Sequence, residues 1–164
     1  MKKLAIAFSL MLSIGCRDHM NVVKTGFEGK PLPAFSVLLM DSLAKLNTSD
    51  IPSGRPIVVF YFNPYCPYCR AQTQEMLGNM QSLSNIRFVM LSNFPFASIK
   101  GFSKEYKLDI YPNITVVDDY DAFFGSYYKA SGVPYTAIYN KEKNLKKVIV
   151  GPFKADDLKN ISME

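Results

Sequence analysis

The stretch Pro56-Ile57-Val58-Val59-Phe60-Tyr61-Phe62-Asn63-Pro64-Tyr65-Cys66-Pro67-Tyr68-Cys69-Arg70 decides how the rest of the chain is read. Residues 57–62 are all Ile, Val, Phe or Tyr with no polar break, the pattern of a strand buried on both faces. Cys66 and Cys69 follow, three positions apart, and residues 70–83 have a helical pattern. The thiols therefore stand where a strand hands over to a helix. Helix N-termini carry unsatisfied N–H groups and the positive end of the dipole, and both favour a thiolate, with Cys66 the beneficiary. Pro67 suits the first helical position, where its missing N–H costs nothing and its fixed φ matches the helix. Cys69 falls one turn on, on the same face and within reach of Cys66.

Plainer roles for the pair are weaker. A ring of about 4 residues gains roughly 2 kcal/mol from a disulfide against about 3 for a ring of 15, so the pair makes a poor staple. A closed zinc site wants four ligands, and besides the pair the chain offers only Cys16 and His19, both near its start. A redox pair accounts best for two thiols with a proline between them and a strand before them.

Residues 56–70 resemble the active-site strand, turn and helix of the thioredoxin superfamily, and Gly132-Val133-Pro134-Tyr135 resembles its cis-proline loop. Residues 29–36 and two extra elements between positions 91 and 117 are similar to the membrane-tethered TlpA-like, or redoxin, branch. The resemblance covers about residues 27–161. It implies an α/β thioredoxin-like fold, with a central mixed β-sheet, helices on both faces and an N-terminal β-hairpin. It assigns Cys66 as nucleophile and Cys69 as resolving thiol. A cis Pro134 would face the thiols, leaving the backbone of Val133 free to pair with a substrate strand, and Pro67 and Tyr68 complete the expected substrate contacts. Three positions depart from the pattern of classical thioredoxins: Phe60 replaces a buried carboxylate, Tyr65 a tryptophan, and Gln74 a helix-kinking proline. Pro67-Tyr68 also matches the glutaredoxin motif, but the paired glycines glutaredoxins carry after their cis-proline loop are missing.

Outward from this centre, 164 residues with 48% hydrophobic and 13% aromatic composition suit one domain with a sizeable core. Residues 1–15 read as a signal: Lys2 and Lys3, then an apolar run too short to span a bilayer, then Gly15. Leu12-Ser13-Ile14-Gly15-Cys16 is similar to a bacterial lipoprotein signal, which makes Cys16 the expected lipid attachment site. Residues 16–30 read as a polar tether holding His19, and residues 31–164 as the thioredoxin-like domain. Setting aside Lys2 and Lys3 leaves 17 basic residues against 14 acidic ones, too even a balance for a nucleic-acid surface. Lys141, Lys143, Lys146 and Lys147 cluster on an expected edge hairpin, where lysine discourages aggregation. Arg70 is expected as a solvated helix residue.

The pattern places a hairpin at residues 35–40 and 45–48 through a turn at 41–44, and strands at 86–91, 114–117, 135–139 and 146–150. Helices are expected at 98–107, with Ser98 as N-cap, at 121–130 opened by Asp121, and at 155–161.

The expected function is a cell-envelope thiol-disulfide oxidoreductase: monomeric, lipid-anchored, acting on protein thiols and disulfides, with a membrane electron donor or acceptor. It needs no cofactor beyond the Cys66–Cys69 disulfide and takes no metal or nucleic acid. Two alternatives stand beside it. One is a non-catalytic lipoprotein holding copper or zinc through the thiols, although the usual accessory histidine is missing near the pair. The other is a peroxiredoxin-like peroxidase, which needs a Thr a turn before its reactive cysteine where this chain reads Phe62-Asn63-Pro64-Tyr65.

Overall fold

The computed structural model describes residues 20–40 and 44–163. In chain order its elements are β1 (Val22–Val23), β2 (Ser36–Leu39), β3 (Lys45–Asn47), β4 (Ile57–Tyr61), α1 (Pro67–Gly78), β5 (Arg87–Ser92), α2 (Phe96–Glu105), β6 (Ile114–Asp118), α3 (Phe123–Tyr128), β7 (Tyr135–Tyr139), β8 (Leu145–Val150) and α4 (Ala155–Met163). Among the described residues the strands form one mixed sheet, ordered β1-β8-β7-β4-β5-β6-β2-β3. β4 lies inside it, parallel to β5 and antiparallel to β7.

That position explains the unbroken apolar run, since a strand covered on both faces has no side for polar residues. Val58 and Phe60 pack with Cys69, Met76, Phe102 and Leu158 in one layer. Ile57 and Val59 pack with Phe35, Phe124, Tyr128 and Tyr139 in the other. Helices thus cover both faces of the sheet, as the alternation of strand and helix patterns implies. The 35–48 hairpin forms through β2 and β3, and β2 joins it to β6. Its turn at 41–43 lies outside the described residues, whereas the clip behind it is clear: Thr48 Oγ1 donates to Pro33 O at 2.6 Å and accepts from Phe35 N at 3.0 Å.

The helix ends differ from expectation for local reasons. α1 stops at Gly78 instead of 83, where Gly78 and Asn79 are both poor helix formers and the Asn79 side chain bonds back to Glu75 O at 2.9 Å. α2 begins at Phe96 after Pro95, so Ser98 sits inside the first turn and is not its cap. α3 is capped from outside by Asp119, whose carboxylate accepts from Phe123 N and Phe124 N, both at 2.9 Å, and Asp121 does not take that role.

Two larger corrections concern the sheet's outer edge. The expected tether at 16–30 is built into the fold from residue 20 onward: β1 pairs with β8, and Phe27 stacks on Tyr127 with ring centroids 4.6 Å apart. Glu28 closes the turn between them by accepting from Thr25 N and Gly26 N. Val22 and Val23 fill the partnerless side of β8, while Met20 and Phe27 pack onto the core on either side of them. The β7–β8 hairpin is consequently not an edge. Lys143 is an anchor, its Nζ donating to Ser49 O at 2.8 Å and Ile51 O at 3.1 Å. Residues 1–19, including the expected signal, Cys16 and His19, lie outside the described residues. Among those described, no helix is long and apolar enough to cross a membrane.

Candidate active site

β4 delivers the chain to the rim of the sheet, where Phe62 N still bonds Leu91 O at 2.9 Å and the ladder then ends. Asn63 makes the turn. Its side-chain oxygen accepts from Tyr65 N at 2.8 Å and its backbone carbonyl accepts from Cys66 N at 3.1 Å. An Asx turn of this kind replaces the ladder bonds the backbone has just lost. Cys66 is then the N-cap of α1, with φ −74° and ψ 121°, and Pro67 opens the helix. No side chain caps this helix start, so its N–H groups and positive dipole end are open to a negative sulfur at Cys66.

Both cysteines are free thiols, in different surroundings. Cys66 is partly exposed, and its Sγ lies 3.8 Å from Val133 O, within the reach of a weak S–H donor. Cys69 is fully buried beneath it. Burial pushes the Cys69 thiol up to about 12, with a smaller push from the Cys66 sulfur and an opposing pull from a backbone hydrogen bond at Asn63. At neutral pH Cys69 is therefore held as a thiol until something draws off its proton. The Val133–Pro134 peptide is cis, and Pro134 O accepts from Gly151 N at 2.8 Å, which ties the loop to the β7–β8 pair. One partly exposed sulfur, one buried sulfur and the loop meet at a single rim.

Tyr65 and Tyr68 flank the rim, each 67% exposed. Two large rings left open beside a reactive sulfur give it an apolar border. Tyr65 is braced by α2, its hydroxyl 2.8 Å from Ser98 Oγ and its ring edge-on to Phe94. Arg70 is not the solvated residue expected. It pairs with Glu105, donates to Pro64 O at 2.9 Å and lies over the rings of Phe102 and Tyr106, so it locks the 63–65 turn against α2. Gln74 lies on the exposed side of α1, and the helix runs through it. Phe60 is fully buried under the site and offers no carboxylate. Among the described residues, no three His, Cys, Asp or Glu side chains converge as a metal site would require.

The sequence reading missed Asn63 and the pair Arg70–Glu105. Asn-Pro is a turn signal that could have drawn attention to Asn63. Glu105 is 35 residues from Arg70, and no local pattern announces the contact.

The redoxin family model matches residues 27–162, which span the site and nearly all of the described fold. The chain belongs to the redoxin family. Among redoxin relatives, the thiol:disulfide interchange protein DsbE of Pseudomonas aeruginosa is 26% identical over 124 residues, covering 75% of this chain and 66% of that protein. The chain spans only about half the length of other curated relatives it matches. In fold, it is similar to a putative electron transfer protein from Aquifex aeolicus, with TM-score 0.66 at 18% identity over 82% of this chain and 91% of the other. It is also similar to a secreted Mycobacterium tuberculosis disulfide oxidoreductase, with TM-score 0.60 at 21% identity over 77% and 92%. This redoxin chain therefore has a thioredoxin-like fold.

Proposed function

We propose that the chain is a thiol-disulfide oxidoreductase of the cell envelope, with Cys66 as nucleophile and Cys69 as resolving thiol. The observation that carries this reading is the asymmetry of the pair: Cys66 partly exposed at a helix start against a cis-proline loop, Cys69 fully buried one turn on. The similarity to the Pseudomonas thiol:disulfide interchange protein supports the same chemistry.

Exchange proceeds in two steps. The Cys66 thiolate attacks one sulfur of a client disulfide, forming a mixed disulfide and releasing the first client thiolate. Cys69 then gives up its proton and attacks the Cys66 sulfur. The Cys66–Cys69 disulfide forms, the second client thiolate leaves, and two electrons have passed to the client. Run backwards, the same steps install a disulfide. The backbone of half-buried Val133 beside Pro134 is suited to pair with an extended client segment, with Pro67, Tyr68 and Tyr65 bordering it. A pair that holds two electrons needs a donor or acceptor to reset it, and the likeness of residues 1–15 and Cys16 to a lipoprotein signal supports a partner at the membrane.

The test is catalysis of insulin disulfide reduction by dithiothreitol. The natural chain is expected to accelerate precipitation of the insulin B chain, and Cys66→Ser to abolish that acceleration. An unchanged rate in Cys66→Ser would remove Cys66 from the role of nucleophile.

A further inference from the structure

Two buried polar side-chain atoms among the described residues have no hydrogen-bond partner: Thr136 Oγ1 and Gln72 Nε2. Both belong to the layer that contains Cys69. Thr136 is the cross-strand partner of Phe60 on one side and of Ile149 on the other. Partners across a ladder project to the same face, and Phe60 and Ile149 pack with Cys69 and Met76 of α1. Gln72 approaches that layer from α1, and its amide oxygen accepts from Phe153 N at 2.8 Å, which leaves the NH₂ end unspent. Phe153 lies two residues beyond Gly151, which is itself bonded to Pro134.

Both groups belong to the two elements that enclose Cys69, α1 and β7. Along α1, Gln72 is about 4.5 Å below Cys69, and along β7, Thr136 is about 7 Å below Pro134. Gln72 thus reaches the Cys69 layer from the helix, and Thr136 faces the same layer from the sheet. Phe60, 0% exposed, fills the position where the resemblance puts a carboxylate, so it cannot take the proton of Cys69. The titratable group acting on Cys69 is Cys66, which is committed to the mixed disulfide when that proton must leave. Buried hydroxyls and amides are nearly always paired, with protein or with ordered water.

We propose that Thr136 and Gln72 hold a buried water beside Cys69, and that this water carries away the thiol proton as Cys69 resolves the mixed disulfide. This rests on the exchange reading above and deepens it. The Cys69 S–H bond breaks, its electron pair forms the new bond to Cys66 Sγ, and the old bond from Cys66 to the client breaks with its pair on the client sulfur. The relayed proton reaches solvent, and the departing client thiolate takes one up. The Thr136 hydroxyl both accepts and donates, while the Gln72 amide donates and orients. Thr136 is thus a positioning residue acting through the water.

The test uses the full chain carrying Cys16→Ser, reduced and mixed with excess 5,5′-dithiobis(2-nitrobenzoate). The first equivalent of aromatic thiolate reports attack by Cys66. The second, independent of reagent concentration once the reagent saturates, reports attack by Cys69. Thr136→Val keeps the shape and removes only the hydroxyl. It is expected to slow the second phase at least tenfold at pH 7 and leave the first unchanged, with the gap closing as pH rises and hydroxide takes the proton directly. Thr136→Ser is expected to restore the rate. A second phase in Thr136→Val equal to the parent across the pH range, or no rescue by Thr136→Ser, would overturn the proposal. Failure of the exchange reading looks different: the parent chain itself would release no second equivalent.

Discussion

At the scale of single residues the site is made by unequal burial of two like groups. Cys69 titrates near 12 when folded against an ordinary value of about 9, so the folded chain retains a proton that the unfolded chain has given up. The stability this contributes is present below pH 9 and is lost as pH rises from about 9 to about 12. In reduced protein, iodoacetamide at pH 7 is therefore expected to modify Cys66 and spare Cys69, as read by peptide mass. In denaturant both should react. Equal labelling in the native state would contradict the burial of Cys69. The two cysteines and Pro134 were legible in the sequence because their signals are local: a spacing of three, a proline at a helix start, a Gly-Val-Pro before a strand. Thr136 and the partner of Arg70 were not. Each owes its place to a register or an ion pair between segments far apart in the chain, and an isolated Thr in a strand has no pattern that says it faces the layer holding Cys69.

At the scale of elements, the short helix α3 depends on groups outside it. Asp119→Ala removes the acceptor for two helix N–H groups and is expected to cost about 1–2 kcal/mol, measured by urea unfolding. Gly125 of α3 faces Tyr61 so closely that an added Cβ would meet the hydroxyl at 2.9 Å, and that hydroxyl donates to Asn93 Oδ1. Gly125→Ala is therefore expected to cost about 1–3 kcal/mol through overpacking, despite alanine's better helix propensity; a stabilised variant would show that Tyr61 moves freely. Thr48→Val, which removes the clip holding the N-terminal hairpin to Pro33 and Phe35, should cost about 1–3 kcal/mol. The strands were legible from period and β-branching. The helix starts were less so, because Asp119 and Pro95 stand one or more residues ahead of the positions a simple cap pattern selects.

At the scale of the whole molecule, the sheet is closed on its β8 side by the segment that reads as a tether. Its apolar residues are too few and too scattered to show a period, so only the sheet's need for a partner along β8 identifies it. A chain lacking residues 1–24 is expected to lose about 1–3 kcal/mol, a drop of several degrees in Tm, and to associate through the bared edge, seen by light scattering. An unchanged melt would return β1 to the role of a tether.

The central claim is that Cys66 and Cys69 act as one two-electron couple, and the most direct measurement is their reduction potential. The full chain carrying Cys16→Ser would be equilibrated against glutathione buffers, and the two thiols followed by alkylation and mass. The expected result is a single transition in which both thiols disappear together, with a potential between about −270 and −120 mV, the span from thioredoxin to DsbA. Thiols that titrate independently, or that stay reduced across the whole range, would contradict it.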